Sequence, residues 1–176
     1  MIEFLDLLLH RRSVRQYTDE RVSREQLEEI VRAGLLSPTG RNRREWEFVV
    51  VEDQATLERL AAARSGGAAK MLSGAAAAIA VFADAGATDV WCEDCSIAMS
   101  NMHLMATALG LGSCWIQGRL RMAEDGRTTS DFVREALGVP EGLELEAILS
   151  VGVPFESPVP RTESDADMAK VHWDRF

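Results

Sequence analysis

The stretch from Thr88 to Leu109 constrains this chain more than any other. It reads as one long helix, apolar nearly all round, with Trp91, Ile97, Met99, Met102, Leu104, Met105, Ala108 and Leu109 spread over its faces. A helix with no polar side cannot lie on a surface, so it must be central, covered by other elements or by a partner chain. The chain has 176 residues, which suits one domain with an ordinary core. With 47% apolar and 27% charged residues it is neither disordered nor fibrous.

The surrounding pattern alternates helices and strands. Residues 2–11 place Ile2, Leu5, Leu8 and Leu9 on one helical face. Ser23 reads as an N-cap with Gln26 completing a capping box; the helix runs through Leu27, Ile30, Val31 and Leu35, and Pro38 closes it. Glu47–Glu52 is a buried strand, and Asp53 caps a helix to about Arg64. Gly66-Gly67 breaks the chain, a short helical piece surrounds Lys70, and Ala76–Phe82 is a strand. Gly110 and Gly112 end the central helix. Ser113–Ile116 and Glu144–Val153 are strands, flanking a helix over Asp131–Leu137 capped near Ser130. Pro154, Pro158 and Pro160 make residues 154–161 extended, and the tail with Met168, Val171, Trp173 and Phe176 needs a surface to lie on. With no repeat and no internal linker, residues 1–176 are expected to form a single α+β domain, a central mixed or antiparallel sheet flanked by helices.

Lys plus Arg is 19 and Asp plus Glu is 28, a net charge of −9. An acidic whole gives no support to a nucleic-acid or anionic-membrane partner. The run Met71–Phe82 is too short for a bilayer span. The N-terminus carries Glu3 and Asp6 and no small-residue cleavage site, so it does not read as a signal peptide. Three cysteines do not make a disulfide framework, and a reduced cytoplasmic setting is expected. Cys92 and Cys95 have C-x-x-C spacing inside a helix, without the further ligands a metal would want, and read as ordinary helix residues. His10, His103 and His172 have no evident nucleophile partner and read as structural or exposed.

Three segments could carry chemistry. Arg11-Arg12-Ser13-Val14-Arg15 is either an anion-binding turn or a basic helix end complementing the dipole. Ser37 to Trp46 is a polar loop in which Asn42 offers a donor and an acceptor to a heteroaromatic edge. Gly112 to Gly118 is a strand ending in a glycine that would let a ligand approach the backbone closely.

Taken together these pieces resemble the FMN-dependent nitroreductase family. Arg11-Arg12-Ser13-Val14-Arg15-Gln16-Tyr17 is similar to the family's opening R-x-S-x-R/K-x-Y/F, and Ser37–Trp46 to S-P-S-x-x-N-x-Q-P-W. Asn101–Ala106 through Ala108–Trp115 is similar to the central helix and following strand, and Pro158-Val159-Pro160-Arg161 to the C-terminal P-x-x-R/K. The resemblance implies a nitroreductase-like fold and a homodimer with FMN at the interface. It implies that Arg11, Ser13 and Arg161 hold the phosphate with Arg12 from the same turn, and that Arg15 and Lys70 lie at the pyrimidine edge. Pro38, Thr39 and Asn42 would come from the other subunit, and backbone around Gln117 and Gly118 would reach the flavin N5 region. The departures are Arg44-Glu45 for the usual Q-P, Gly67 where relatives have a polar flavin contact, and a connection of only Asp84 to about Asp89 where many relatives insert helices over the flavin.

The function so implied is an oxidoreductase in which NAD(P)H reduces the flavin and a small-molecule acceptor (nitro-aromatic, quinone or activated alkene) leaves with the electrons by a ping-pong hydride mechanism. The alternatives are a flavin-binding module without such turnover, or a flavin-fragmenting or dehalogenating relative. Residues 119–128 either cover the flavin in place of the missing lid or form a plain exposed loop.

Overall fold

The computed structural model describes residues 3–176; Ile2, counted above in the first helix, lies outside them. Helices α1 (Phe4–His10) and α2 (Arg24–Leu35) precede strand β1 (Trp46–Val51), followed by α3 (Gln54–Leu60) and β2 (Ala77–Asp84). Then come the central α4 (Trp91–Ala108), β3 (Gly112–Gln117), α5 (Thr129–Leu137) and β4 (Leu143–Gly152). The four strands form one sheet in the order β1-β2-β4-β3, and every pairing is antiparallel. A single parallel bridge, Ser13 to Ser113, adds the incoming chain to the outer edge of β3.

Successive side chains of β2 point to opposite faces, and both faces are buried. Ala77, Ile79, Val81 and Ala83 pack with α2 and α4, while Ala78, Ala80 and Phe82 pack with α3 and α5. The central helix is covered within the chain on one side, where Cys95, Ala98, Met99, Met102 and Ala106 are fully buried, while its Ile97 is exposed. Between Val81 and Phe82 the register against β4 slips by one residue, which leaves Glu146 as a bulge.

Local signals account for most element ends. Ser23 and Gln26 form the capping box in full, and Asp53 caps α3 through Thr56. Strand ends shift by one or two residues from expectation, and three helix boundaries differ for identifiable reasons. Helix α3 ends at Leu60, short of Arg64, whose extended backbone begins the turn to Gly67. The chain from Thr88 to Val90 is a turn closed by the Thr88 hydroxyl, so α4 starts at Trp91. The cap of α5 is Thr128, not Ser130; the Ser130 hydroxyl is buried and holds the Leu145 amide and the Glu144 carboxylate of β4 instead. Among the described residues no helix is long and apolar enough to cross a membrane.

Two apolar surfaces are left bare in the isolated chain. Helix α1 buries none of its residues, and Phe4, Leu5 and Leu8 are exposed, as are Leu35, Leu36 and Ile97. Past Arg161 the tail makes only two short 3-10 turns, and Trp173 is 81% exposed.

Candidate functional site

At the end of α1 the chain turns sharply at Arg11 and runs beside β3. The Val14 amide donates to the Ser113 carbonyl at 2.9 Å. Gly112 permits this approach, since a Cβ there would stand 2.7 Å from the Val14 side chain. The Tyr17 hydroxyl donates to the Val14 carbonyl at 2.8 Å and lies 2.7 Å from the Ser150 hydroxyl. The far side of this segment is covered by the C-terminal arm through the Phe155 amide on Gln16 and the Arg161 amide on Leu9.

Arg11, Arg12, Ser13 and Arg161 are thereby brought together. Burial first, then the charges of Arg161 and Arg12, pull the Arg11 pKa down from its ordinary value. Among the described residues none of the ion pairs involves Arg11, Arg12, Arg15, Arg161 or Lys70. Asp165 feels Arg161 and Arg12, but its carboxylate is engaged in capping Thr162. Like charges held side by side without an acid form a receptor for an anion. Arg11 Nη1 instead meets a neutral group, His103 Nε2, at 3.0 Å. The Arg12 side chain is turned to the arm, donating to the Val159 carbonyl.

Arg15 and Lys70 line one cleft with Gln16, Tyr17, Met71 and Phe155. Gly67 adopts φ +72°, and a Cβ there would lie 2.7 Å from the Lys70 Cε. The glycine that departs from the family pattern is thus what lets the lysine fold back over the turn.

Gln117 ends the edge strand. Gly118 and Arg119 both donate their amides to the Glu146 carbonyl at the bulge, at 3.0 and 2.9 Å. Antiparallel alternation then turns the Gln117 amide and carbonyl away from β4, toward the outer edge. The carbonyl takes Arg64 Nη1 at 2.6 Å. The Glu146 side chain is buried and surrounded by donors: Cys92 Sγ at 3.3 Å, Ser96 Oγ at 3.4 Å and Gln117 Nε2 at 3.3 Å. Gly118 serves packing, because a Cβ there would stand 2.5 Å from Leu145 Cδ2. Residues 119–128 fold back on the sheet's flank, tied by Ser65 to Met122 and Glu124 to Ala62, with Ala123 buried and Leu120 exposed.

Pro38, Thr39 and Asn42 sit apart from this group. Their loop is fixed on α4 by the Gly40 amide on Asp94 Oδ1 at 2.9 Å and by Asn101 Nδ2 on Ser37 Oγ at 2.7 Å. Asn42 has φ +56° and accepts Arg44 Nε on its side-chain oxygen at 3.0 Å, which leaves its amide N–H groups.

Four further residues of the site escaped the sequence: His103, Ser113, Arg64 and Glu146. For His103 and Glu146 a signal existed, a titratable residue between apolar neighbours. Their partners are 92, 10 and 54 positions away, and no local pattern names them.

The Nitroreductase family model matches residues 8–70 and 61–153. A protein of Archaeoglobus fulgidus named "Putative NADH dehydrogenase/NAD(P)H nitroreductase" is 37% identical over 158 residues, covering 88% of this chain and 87% of that protein. The structure of an FMN-dependent nitroreductase from Clostridium difficile R20291 superposes with a TM-score of 0.95 at 42% identity, covering 98% of this chain and 100% of that one. Another, described as a putative nitroreductase in complex with FMN from Desulfovibrio desulfuricans, superposes at 0.72 with 30% identity, covering 92% of each chain. Motif order, sheet topology and these likenesses agree: the chain belongs to the nitroreductase family and has its fold.

Proposed function

We propose that residues 1–176 act as one FMN-binding domain that uses NAD(P)H to reduce a small-molecule acceptor, of the nitro-aromatic, quinone or activated-alkene class. The observation that carries this reading is the cationic group at Arg11 and Arg161, built against a strand edge with, among the described residues, no acid within ion-pair distance. A terminal phosphate dianion fits that group, with the Ser13 hydroxyl on the same turn. FMN, when bound, supplies a two-electron hydride relay at its ring.

The protein's own residues supply position and charge. Arg15 and Lys70, in one cleft, favour negative charge on the pyrimidine side of the ring. The Gln117 amide, turned outward from β4, offers a donor at the other end. Pro38, Thr39 and Asn42 lie on a separate loop, which suits a contribution across a homodimer interface. The bare apolar faces of α1 and of the tail suit burial in that interface. No protein nucleophile is called upon, and two half-reactions at one site follow a ping-pong order.

An anaerobic titration tests the reading. The purified protein should be yellow, release FMN rather than FAD, and bleach with NADH or NADPH. Release of mainly FAD would refute the phosphate site. A yellow protein that bleaches with neither nucleotide would instead be a flavin-binding module.

A further inference from the structure

We propose that His103 is the positioning residue for Arg11: its imidazole takes the guanidinium at Nε2, is fixed at Nδ1 by Ser113, and so aims Arg11 at the anion without cancelling its charge. The inference rests on the phosphate reading above.

The geometry determines the proton positions. Arg11 can only donate, so the Nε2 that it meets at 3.0 Å must carry a lone pair. The ring proton is therefore on Nδ1, which donates to Ser113 Oγ at 2.5 Å. Both His103 and Ser113 are buried, at 6% and 1% exposure. Burial and the neighbouring Arg11 push the His103 pKa down to about 4, so the ring is uncharged at neutral pH.

A carboxylate in this place would pair with Arg11 and neutralise it. A neutral imidazole orients the guanidinium while leaving its charge and its other N–H groups for a ligand. Ser113 serves both parts of the turn. Its hydroxyl fixes the ring that holds Arg11, and its carbonyl takes the Val14 amide beside Ser13. Central helix, edge strand and arginine turn are thus registered at one serine.

The test compares FMN with riboflavin, which has the same ring and no phosphate. Flavin release on dilution is followed by fluorescence for holoprotein and for protein exchanged into riboflavin. Arg11→Ala should speed FMN release and leave riboflavin little changed. His103→Phe, which keeps a ring and loses the acceptor, should reproduce this selectivity with roughly tenfold weaker FMN retention, the scale of one charged hydrogen bond. His103→Gln, which keeps an acceptor, should restore most of it. Should His103→Phe fail to fold, Ser113→Ala provides the same comparison, because it frees the ring and should show the same FMN-selective loss. Equal weakening of both flavins by the position-103 or position-113 variants would mean a merely structural histidine and overturn the proposal. Unchanged FMN retention in them, beside a selective Arg11→Ala, would overturn the proposal and leave the phosphate reading standing. An Arg11→Ala that does not separate the two flavins would overturn both.

Discussion

Gly118 has two competing explanations, and one substitution separates them. If the glycine exists to let a ligand near the backbone, Gly118→Ala should impair flavin binding and little else. The structure assigns it to packing, since an added Cβ would stand 2.5 Å from Leu145 Cδ2, 2.8 Å from its Cγ and 3.3 Å from the Glu146 carbonyl oxygen. Leu145 is fully buried within the core cluster on that face of the sheet. Forcing one methyl into such a space costs about 1–3 kcal/mol. For a chain of this size that lowers Tm by about 2–12 °C. Leu145→Ala alone should cost about 2–5 kcal/mol by leaving a cavity. The double variant should be better than the sum of the two by about 1–2 kcal/mol, because the new methyl occupies space the leucine vacated. Thermal and denaturant unfolding of the four proteins, with and without saturating FMN, measures the cycle. Strict additivity, with a Gly118→Ala loss that vanishes when FMN is saturating, would refute the packing argument.

The remaining predictions concern titration, thiols and the tail. His103, whose pKa falls from 6.5 to about 4 through burial and then Arg11, is protonated in the unfolded chain before the folded one. Its contribution, about 3 kcal/mol, is complete above pH 6.5 and lost as pH falls toward 4, so His103→Gln should flatten the wild-type decline in stability across that window. A decline of unchanged slope would count against a buried neutral ring. The Cys95 thiol is pushed up to about 12, by burial first and then Glu146, and Cys114 is raised by burial. Both should resist alkylation at pH 8 in native protein and react on unfolding, as mass spectrometry would read. Truncation after Arg161 should weaken self-association while sparing FMN affinity, since the arm's Arg161 amide bond to Leu9 is kept. Unchanged sedimentation would refute a role for the tail in the interface.

What the sequence made legible was local or compositional. The capping box at Ser23 and Gln26 and the largely apolar character of the central helix each need only neighbouring residues to interpret. The α5 cap shows the limit of that method. Thr128 and Ser130 are both competent hydroxyls, and only the position of β4, which claims Ser130 through Leu145 and Glu144, decides between them. At the site, the arginine turn and the Lys70 cleft were legible through ordered motifs. The register of the edge strand was not, so the packing of Leu145 against the glycine at 118, set by the Glu146 bulge, had no signal in the sequence. His103 was passed over for the same reason, its partners being set by which strand borders the central helix.

The bridge from Ser13 to Ser113 has a consequence beyond ligand binding. Strand β3 is the last of the sheet, and an uncovered last strand offers its free N–H and C=O groups to any other extended chain. Here that invitation is declined by the very segment that carries the arginines, with Val14 bonded to Ser113. Protection of the sheet edge and, on the phosphate reading, cofactor retention therefore rest on the same few residues. A substitution that loosens the turn, such as one with bulk at Gly112 that expels Val14, should shed the ligand and expose an adhesive border in one event. Selection against aggregation would then guard the arginine turn even in a setting where its ligand is scarce.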